Sequence, residues 1–149
     1  NTLNTIEELL SHNYIPIINE NDTVAVEELV LGDNDKLSAL VTTLINADLL
    51  IIASDVDGLF DKNPNIYKDS NLISEISDLN VIEKYIEERA NGLGTGGMTS
   101  KINAIKICFE KSISVFLVNG GRPNFIEYSL EGKIPFTRFS PTVKTKDFK

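Results

Sequence analysis

Short apolar runs alternate along the chain with stretches in which apolar residues recur at helical spacing. The apolar runs occupy residues 14–19, 49–53 and 114–119. Runs of this length and composition are typical of strands that are buried on both faces of a parallel sheet. Two further extended segments are predicted at residues 24–31 and 72–77, together with a final edge strand at residues 136–139.

The helical pattern is present in four segments, residues 1–12, 37–45, 81–89 and 101–111, with a short fifth helix near residues 124–130. The pattern is clearest in the second helix, where Leu37, Leu40, Val41, Leu44 and Ile45 predict the buried face. Because strands alternate with helices, we predict an α/β fold, a three-layer αβα sandwich around a mainly parallel sheet.

Four of the six residues at positions 92–97 are glycines, and the stretch continues through Met98, Thr99 and Ser100 to Lys101. Glycine permits a positive φ and lets a bulky anion approach bare backbone N–H groups. We predict a loop that leads into a helix beginning at Lys101, where the helix dipole favours negative charge. Hydroxyl donors and a lysine complete the outline of a phosphate site. The alternative is a plain surface linker, although linkers seldom end in a lysine that opens an apolar-faced helix.

Polar residues cluster where the predicted strands end. Residues 19–22 read Asn-Glu-Asn-Asp, residues 54–58 read Ser-Asp-Val-Asp-Gly, and residues 32–35, before the second helix, read Gly-Asp-Asn-Asp. Helix capping accounts for one acidic residue in the last cluster but not for both. Open α/β sheets bind ligands at the carboxyl ends of their strands, so these clusters predict a ligand site at that edge.

Charge and cysteine content exclude several classes of function. The 149 residues carry a net charge of -8 and a pI near 4.6, which argues against a nucleic-acid partner or a membrane surface. A bound phosphate would therefore depend on local donors, a few lysines and a metal ion. Cys108 is the only cysteine, so we expect no disulfide framework, an inert buried thiol and a cytoplasmic location.

Taken in order, these motifs resemble those of the amino-acid kinase family, and within it the glutamate 5-kinases. The resemblance runs from residue 1 to about residue 140 and rests on the polar clusters, Leu37-Ser38-Ala39-Leu40, Gly58-Leu59 and the glycine stretch with Lys101. It implies the amino-acid kinase fold and transfer of phosphate from ATP to the γ-carboxylate of L-glutamate, the first step of proline synthesis. It also implies Mg²⁺ carried by the nucleotide rather than by a protein metal site, and a homo-oligomer.

The resemblance assigns roles to single residues. Asp22 and Asn34 would bind the amino and carboxylate groups of the substrate, and Asp35 would orient catalytic lysines, of which Lys101 is one. The nucleotide-binding set would be Ser54, Asp55, Thr95, Gly96, Gly97, Met98, Thr99, Ser100 and Lys101. Residues 1–47 would form a substrate-side portion, residues 48–140 a nucleotide-binding portion and residues 141–149 a tail.

The sequence opens inside a predicted helix and lacks the amino-terminal phosphate loop and lysine of the family. We therefore expect a kinase domain that is incomplete at its N-terminus and inactive alone. A non-catalytic nucleotide-binding module and a kinase of the same family with a different carboxylate or phosphate acceptor remain alternatives. A dinucleotide-binding oxidoreductase fits poorly, because no G-x-G-x-x-G motif opens the first strand–helix unit.

Overall fold

The computed structural model describes residues 1–20, 34–90 and 96–142. In chain order the elements are α1 (Thr2–Ser11), α2 (Asn34–Leu44), β1 (Leu49–Ser54), β2 (Glu75–Ile76), α3 (Leu79–Ala90), α4 (Gly96–Glu110), β3 (Ser114–Asn119), α5 (Phe125–Leu130) and β4 (Thr137–Phe139). The alternation of helices and strands confirms the predicted α/β class. The segment predicted at residues 24–31 lies outside the described residues.

Within the described residues, four strands form one open sheet in the order β1-β3-β4-β2. β1 and β3 are parallel, β4 and β2 are parallel, and β3 and β4 are antiparallel, so the sheet is mostly parallel as predicted. The prediction of β4 as an edge strand is wrong, because β4 lies between β3 and β2. Thr137 and Phe139 of this strand are fully buried, whereas Arg138 between them is exposed, because successive side chains point to opposite faces of the sheet.

Helices α2, α3 and α4 contribute to one apolar core with the sheet. The core residues are Ala39, Ile52, Leu59, Ile76, Ile82, Ile102, Ala104, Ile105, Cys108, Ile113, Val115, Leu117 and Phe139. Cys108 is completely buried in this cluster, and the burial raises the pKa of its thiol to about 11. The predicted inert thiol therefore has a structural basis. None of the helices in the described ranges combines the length and apolar composition that crossing a bilayer requires.

Residues 14–19 do not form the predicted buried strand. They have no regular secondary structure, and Ile15 and Ile17 are 89% and 96% exposed. A strand is stabilised only when a neighbour accepts and donates its backbone hydrogen bonds. Within the described part of the chain no strand pairs with this run, so its apolar composition alone does not make it a strand.

Helix α2 forms as predicted, but it buries a different face. Ala39 and Thr42 are buried, whereas Leu40 and Leu44 are 43% and 44% exposed. Helix α4 packs beside α2 and contributes the small, fully buried Ala104 to the same core cluster. Small side chains let two helices approach closely, so the packing of α2 against α4 selects the buried face rather than the leucine spacing.

The turn after β1 is anchored by a buried threonine of β4. The Thr137 hydroxyl accepts a hydrogen bond from the backbone N–H of Leu59 at 2.9 Å and donates one to the carbonyl of Ile73 at 2.7 Å. Gly58 leaves room for this contact. A Cβ at Gly58 would overlap Oγ1 of Thr137 and lie 2.9 Å from both Cδ1 of Leu72 and the backbone nitrogen of Thr137.

We expect Gly58→Ala to lower the free energy of unfolding by about 1–3 kcal/mol, the usual cost of overpacking a buried site. Gly97→Ala is the matched control, because a Cβ there meets nothing within 4 Å and alanine favours a helix over glycine. Urea unfolding of both variants measures the difference. A Gly58→Ala protein as stable as the wild type would contradict the proposed anchoring.

Candidate active site

Two helix beginnings and two strand ends meet at one edge of the sheet. A short turn joins α2 to β1, another joins α4 to β3, and each helix packs against the strand that follows it. A helix of this kind runs antiparallel to its strand, so it begins near the edge where the strand ends. β1 and β3 are parallel neighbours, and their last residues Ser54 and Asn119 are paired in register. Four chain segments rich in polar residues therefore face the same edge.

Asp35, Ser100 and Lys101 form a polar cluster between the beginnings of α2 and α4. Nζ of Lys101 lies 3.1 Å from Oδ2 of Asp35, and the Ser100 hydroxyl donates to the same oxygen at 3.1 Å. The Lys101 and Asp35 side chains are only 18% and 22% exposed. Partial burial reduces screening by water, so this ion pair fixes the position of the lysine more firmly than a surface pair would.

Helix α4 begins at Gly96, five residues before the predicted start at Lys101. Gly96, Gly97, Met98, Thr99 and Ser100 thus belong to the first turns of the helix rather than to a loop. The first N–H groups of a helix have no intrahelical partner, so glycine costs less there than in a helix interior. The correction strengthens the predicted anion site, because these residues now lie at the N-terminal end of a helix, where the helix dipole favours negative charge.

The first turn of α4 contains no acidic residue, and Lys101 follows directly after it. The positive end of the helix dipole and the lysine charge therefore add at this point instead of cancelling. Asp35, in the first turn of α2, supplies the nearest described counter-charge to Lys101. The N-terminal end of α4, with Lys101 beside it, therefore favours the binding of an anion. A phosphate chain has the negative charge and the acceptor oxygens that suit this position.

Asn34 connects the two polar motifs that precede α2. Its Oδ1 accepts a hydrogen bond from the backbone N–H of Glu20 at 3.2 Å, across 14 residues of sequence. Glu20 of the first motif therefore lies beside Asn34 of the second, as a shared binding site requires. Asp22 and Thr95, two of the predicted site residues, lie outside the described residues.

Ser54 and Asp55 lie at the carboxyl end of β1, where the nucleotide contacts were predicted. The Ser54 hydroxyl accepts a hydrogen bond from the backbone N–H of Val56 at 3.2 Å and lies 3.4 Å from Oδ1 of Asp55. The hydroxyl thus organises the turn, while the Asp55 side chain is exposed at the sheet edge. An exposed carboxylate there is available to hydroxyl groups of a ligand.

Sequence reasoning missed one feature of this edge, the pairing of Asp57 with Arg122. The guanidinium of Arg122 donates through Nε to Oδ1 of Asp57 at 2.7 Å and through Nη2 to Oδ2 at 2.9 Å. The Arg122 hydrogen bond, with a smaller contribution from Asn119, holds the pKa of Asp57 below its ordinary value of 3.8. The sequence offered one signal, which is that each residue follows a predicted buried strand. The structure shows that these two strands are parallel neighbours.

A family model described as the amino acid kinase family matches residues 1–119. The chain belongs to the amino acid kinase family. Solved structures with a related fold include UMP kinase from Ureaplasma parvum, at a TM-score of 0.65 and 17% identity over 94% of this chain and 53% of that one. An isopentenyl phosphate kinase matches at a TM-score of 0.68 and 22% identity, covering 93% of this chain and 51% of the other. These similarities confirm the predicted fold.

Relatives of higher identity are named glutamate 5-kinase. The protein from Ligilactobacillus salivarius is 50% identical over 89% of this chain and 52% of its own length. The protein from Caldanaerobacter subterraneus is 46% identical, covering 92% of this chain and 37% of its own length, and that from Clostridium acetobutylicum is 45% identical, covering 97% and 54%. The chain thus spans about half the length of the curated relatives it matches, or less.

The structure gathers most of the predicted site residues at one edge of the sheet. It brings Asp35, Ser100 and Lys101 into direct contact and places Ser54 and Asp55 at the end of β1. Asn34 lies in the first turn of α2 beside Asp35. Their assignments to substrate and nucleotide stay predictions.

Proposed function

We propose that the chain is the nucleotide-side part of a glutamate 5-kinase, which transfers the γ-phosphoryl group of ATP to the γ-carboxylate of L-glutamate. The observation that carries the proposal is the Asp35–Lys101–Ser100 cluster at the beginning of α4, where a held lysine and the helix dipole both favour phosphate. The glutamate 5-kinase name of relatives between 45% and 50% identical supports the choice of acceptor.

Phosphoryl transfer requires little covalent chemistry from the protein itself. A carboxylate oxygen of glutamate attacks the γ-phosphorus, the bond from that phosphorus to the β,γ-bridging oxygen breaks, and ADP leaves with the electron pair. The products are glutamyl 5-phosphate and ADP. The attacking carboxylate is already ionised at neutral pH, so no general base has to remove a proton. Catalysis then depends on positioning and on neutralising the charge of the transferring group.

The described residues can supply both requirements. The N–H groups at the beginning of α4 would bind phosphate oxygens, and the ammonium of Lys101 would meet the charge that develops during transfer. Asp35 would hold that ammonium in place. Because the Asp35 carboxylate is already engaged by Lys101 and Ser100, it is poorly suited to bind a metal as well. We therefore propose that Mg²⁺ enters with the phosphates of ATP, where it screens their charge.

Glutamate would bind at the other side of the site, near the beginning of α2. We propose that Asn34 and Asp22 bind its α-carboxylate and amino groups, and that Ser54 and Asp55 bind the nucleotide. A protein that acts on ATP and glutamate and whose single cysteine is a buried thiol fits a cytoplasmic location. A homo-oligomer and the absence of activity in the 149-residue chain alone stay predictions.

Asn34→Ala and Asp22→Ala in the full-length protein should each raise the KM for glutamate about 10- to 100-fold, since a lost hydrogen bond to a charged group costs roughly 1.5–3 kcal/mol. The KM for ATP should stay within about twofold of the wild-type value, because in this proposal the two residues would contact the small zwitterion rather than the phosphate chain. Asn65→Ala, an exposed residue after β1, is the control. A raised KM for ATP with an unchanged KM for glutamate would mean that the two half-sites are reversed.

The function itself is tested by ADP release from the purified full-length protein with Mg²⁺, ATP and one acceptor at a time. We expect turnover with L-glutamate and none with UMP or isopentenyl phosphate. Turnover with another carboxylate or phosphate would replace glutamate by that acceptor. ATP binding without turnover on any acceptor would favour the non-catalytic nucleotide-binding module.

A further inference from the structure

Three side chains fasten the turn after β1 to the turn after β3. Asp57 accepts two hydrogen bonds from Arg122, at 2.7 and 2.9 Å, and its Oδ1 also lies 3.3 Å from Nδ2 of Asn119. We call this group of Asp57, Asn119 and Arg122 the β1–β3 clasp. Its members come from segments about 65 residues apart in sequence, so it forms only when the two strands are neighbours.

The backbone continues the same connection. The N–H of Gly120 donates to the carbonyl of Ser54 at 2.9 Å, and the N–H of Gly121 donates to Oδ1 of Asn119 at 2.9 Å. A Cβ at Gly120 would lie 3.0 Å from Cβ of Ala53, so the turn after β3 rests directly on the end of β1. Ser54, a proposed nucleotide residue, is thus held from the β3 side.

The clasp is better suited to fixing geometry than to adding stability. The Arg122 and Asp57 side chains are 39% and 25% exposed, and ion pairs with this exposure contribute little to folding. The two-point contact between a guanidinium and a carboxylate, by contrast, fixes the relative orientation of both groups. The Arg122 hydrogen bond lowers the pKa of Asp57, so the carboxylate that accepts these hydrogen bonds is ionised throughout the neutral pH range.

We propose that the β1–β3 clasp positions the turn that carries Ser54 and Asp55 for ATP binding. Asp57 lies two residues beyond Asp55 in that turn, so its orientation restricts the backbone of both nucleotide residues. Asp57 and Arg122 are positioning residues in this proposal and need not touch the nucleotide. The proposal rests on the proposed function, because the nucleotide role of Ser54 and Asp55 belongs to it.

Breaking the clasp in the full-length protein should weaken the binding of ATP but not that of glutamate. We expect Arg122→Gln and Asp57→Asn each to raise the KM for ATP about fivefold, the upper end for a partly exposed ion pair. The KM for glutamate and the kcat at saturation should stay within about twofold of wild type. Arg122→Lys keeps the charge but loses the planar fork, so it should resemble Arg122→Gln more than the wild type.

A double-mutant cycle separates the pair from two independent effects. Asp57→Asn combined with Arg122→Gln should raise the KM for ATP no more than either single change, because each already abolishes the contact. Lys133→Gln, which breaks the 2.6 Å ion pair between Lys133 and Glu131 in another turn, should leave both KM values unchanged. A parallel rise in both KM values, or full additivity in the cycle, would overturn the positioning role.

Direct binding of ATP by calorimetry distinguishes failure of the clasp from failure of the proposed function. If the full-length wild type binds ATP but does not phosphorylate glutamate, the function is wrong and the Kd values still test the clasp. If the wild type is active and Arg122→Lys binds ATP as the wild type does, the clasp proposal is wrong. A wild-type protein that binds no ATP would overturn both. Thermal melts identify any variant that does not fold. In that case the ATP affinity of Arg122→Lys, the mildest change, tests the clasp.

Discussion

Lys101→Met in the full-length protein is expected to reduce kcat by about 10²–10³-fold, or roughly 3–4 kcal/mol of activation free energy. Methionine keeps the length and apolar stem of lysine and removes only the charge. In the structure the ammonium is held 3.1 Å from Asp35 at the beginning of α4, where the helix dipole already favours a phosphate. Because the lysine charge would act mainly in the transition state, the apparent affinity for ATP should change little.

Lys106→Met is the matched control for this experiment. Lys106 lies further along the same helix and pairs with Glu83 of α3 at 2.7 Å. Its replacement should leave kcat within about twofold of wild type, because Lys106 lies beyond the beginning of the helix and a partly exposed pair affects stability only slightly. If Lys101→Met kept kcat within about threefold of the wild-type value, a transition-state role for the lysine would be untenable.

Asp35→Asn should lower kcat about 10- to 100-fold, because an amide oxygen can still accept a hydrogen bond from Lys101 but has no negative charge to hold its ammonium in place. Asparagine preserves the shape of the side chain, so the change tests the charge. The exposed Asp48, in the turn between α2 and β1, provides the control variant Asp48→Asn. Single-turnover kinetics at saturating ATP and glutamate measure the chemical step directly.

If Asp35 acts through Lys101, the double variant Asp35→Asn/Lys101→Met should lose no more activity than Lys101→Met alone. Residues that work as a unit show this non-additivity. Independent losses that multiply in the double variant would instead give Asp35 a separate role, such as a direct contact with the substrate.

The apolar runs predicted β1 and β3 correctly but failed at residues 14–19, and the reason is physical. A contiguous apolar run indicates a preference for burial, whereas a strand also needs a paired neighbour. Val115 and Leu117 of β3 are fully buried between such neighbours, while Ile17 is almost fully exposed. The same limit applies to α2, whose leucine spacing predicted a helix but not the face that α4 covers.

The candidate site shows a similar division between local motifs and long-range contacts. Asp35 and Lys101 could be singled out because each lies in a short motif with a recognisable pattern. Their contact spans 66 residues of sequence, and that of Asp57 with Arg122 spans 65. Spacing along the chain contains no information about such distances until the strand order is known. The family resemblance supplied the pairing of Asp35 with Lys101, which the fold then showed, whereas only the fold identified the pairing of Asp57 with Arg122.

The register of β1 and β3 has a consequence for changes of chain length. Leu49 pairs with Ser114 and each following residue pairs in step, so both strands end level with each other. An inserted or deleted residue in either strand would shift its end by about 3.3 Å and turn its side chains to the opposite face of the sheet. Insertions here should abolish function even where the protein still folds.

The segment between Asp61 and Asn71 differs, because its two ends are bonded to each other. The backbone N–H of Asp61 donates to the carbonyl of Asn71 at 3.0 Å, and the backbone N–H of Asn71 donates to Oδ1 of Asp61 at 2.7 Å. Extra residues inside this loop would leave its two bonded ends in place. Each doubling of the loop length costs only about 0.6 kcal/mol of closure entropy. A tag or reporter peptide should therefore be accommodated here without moving Asp61 and Asn71.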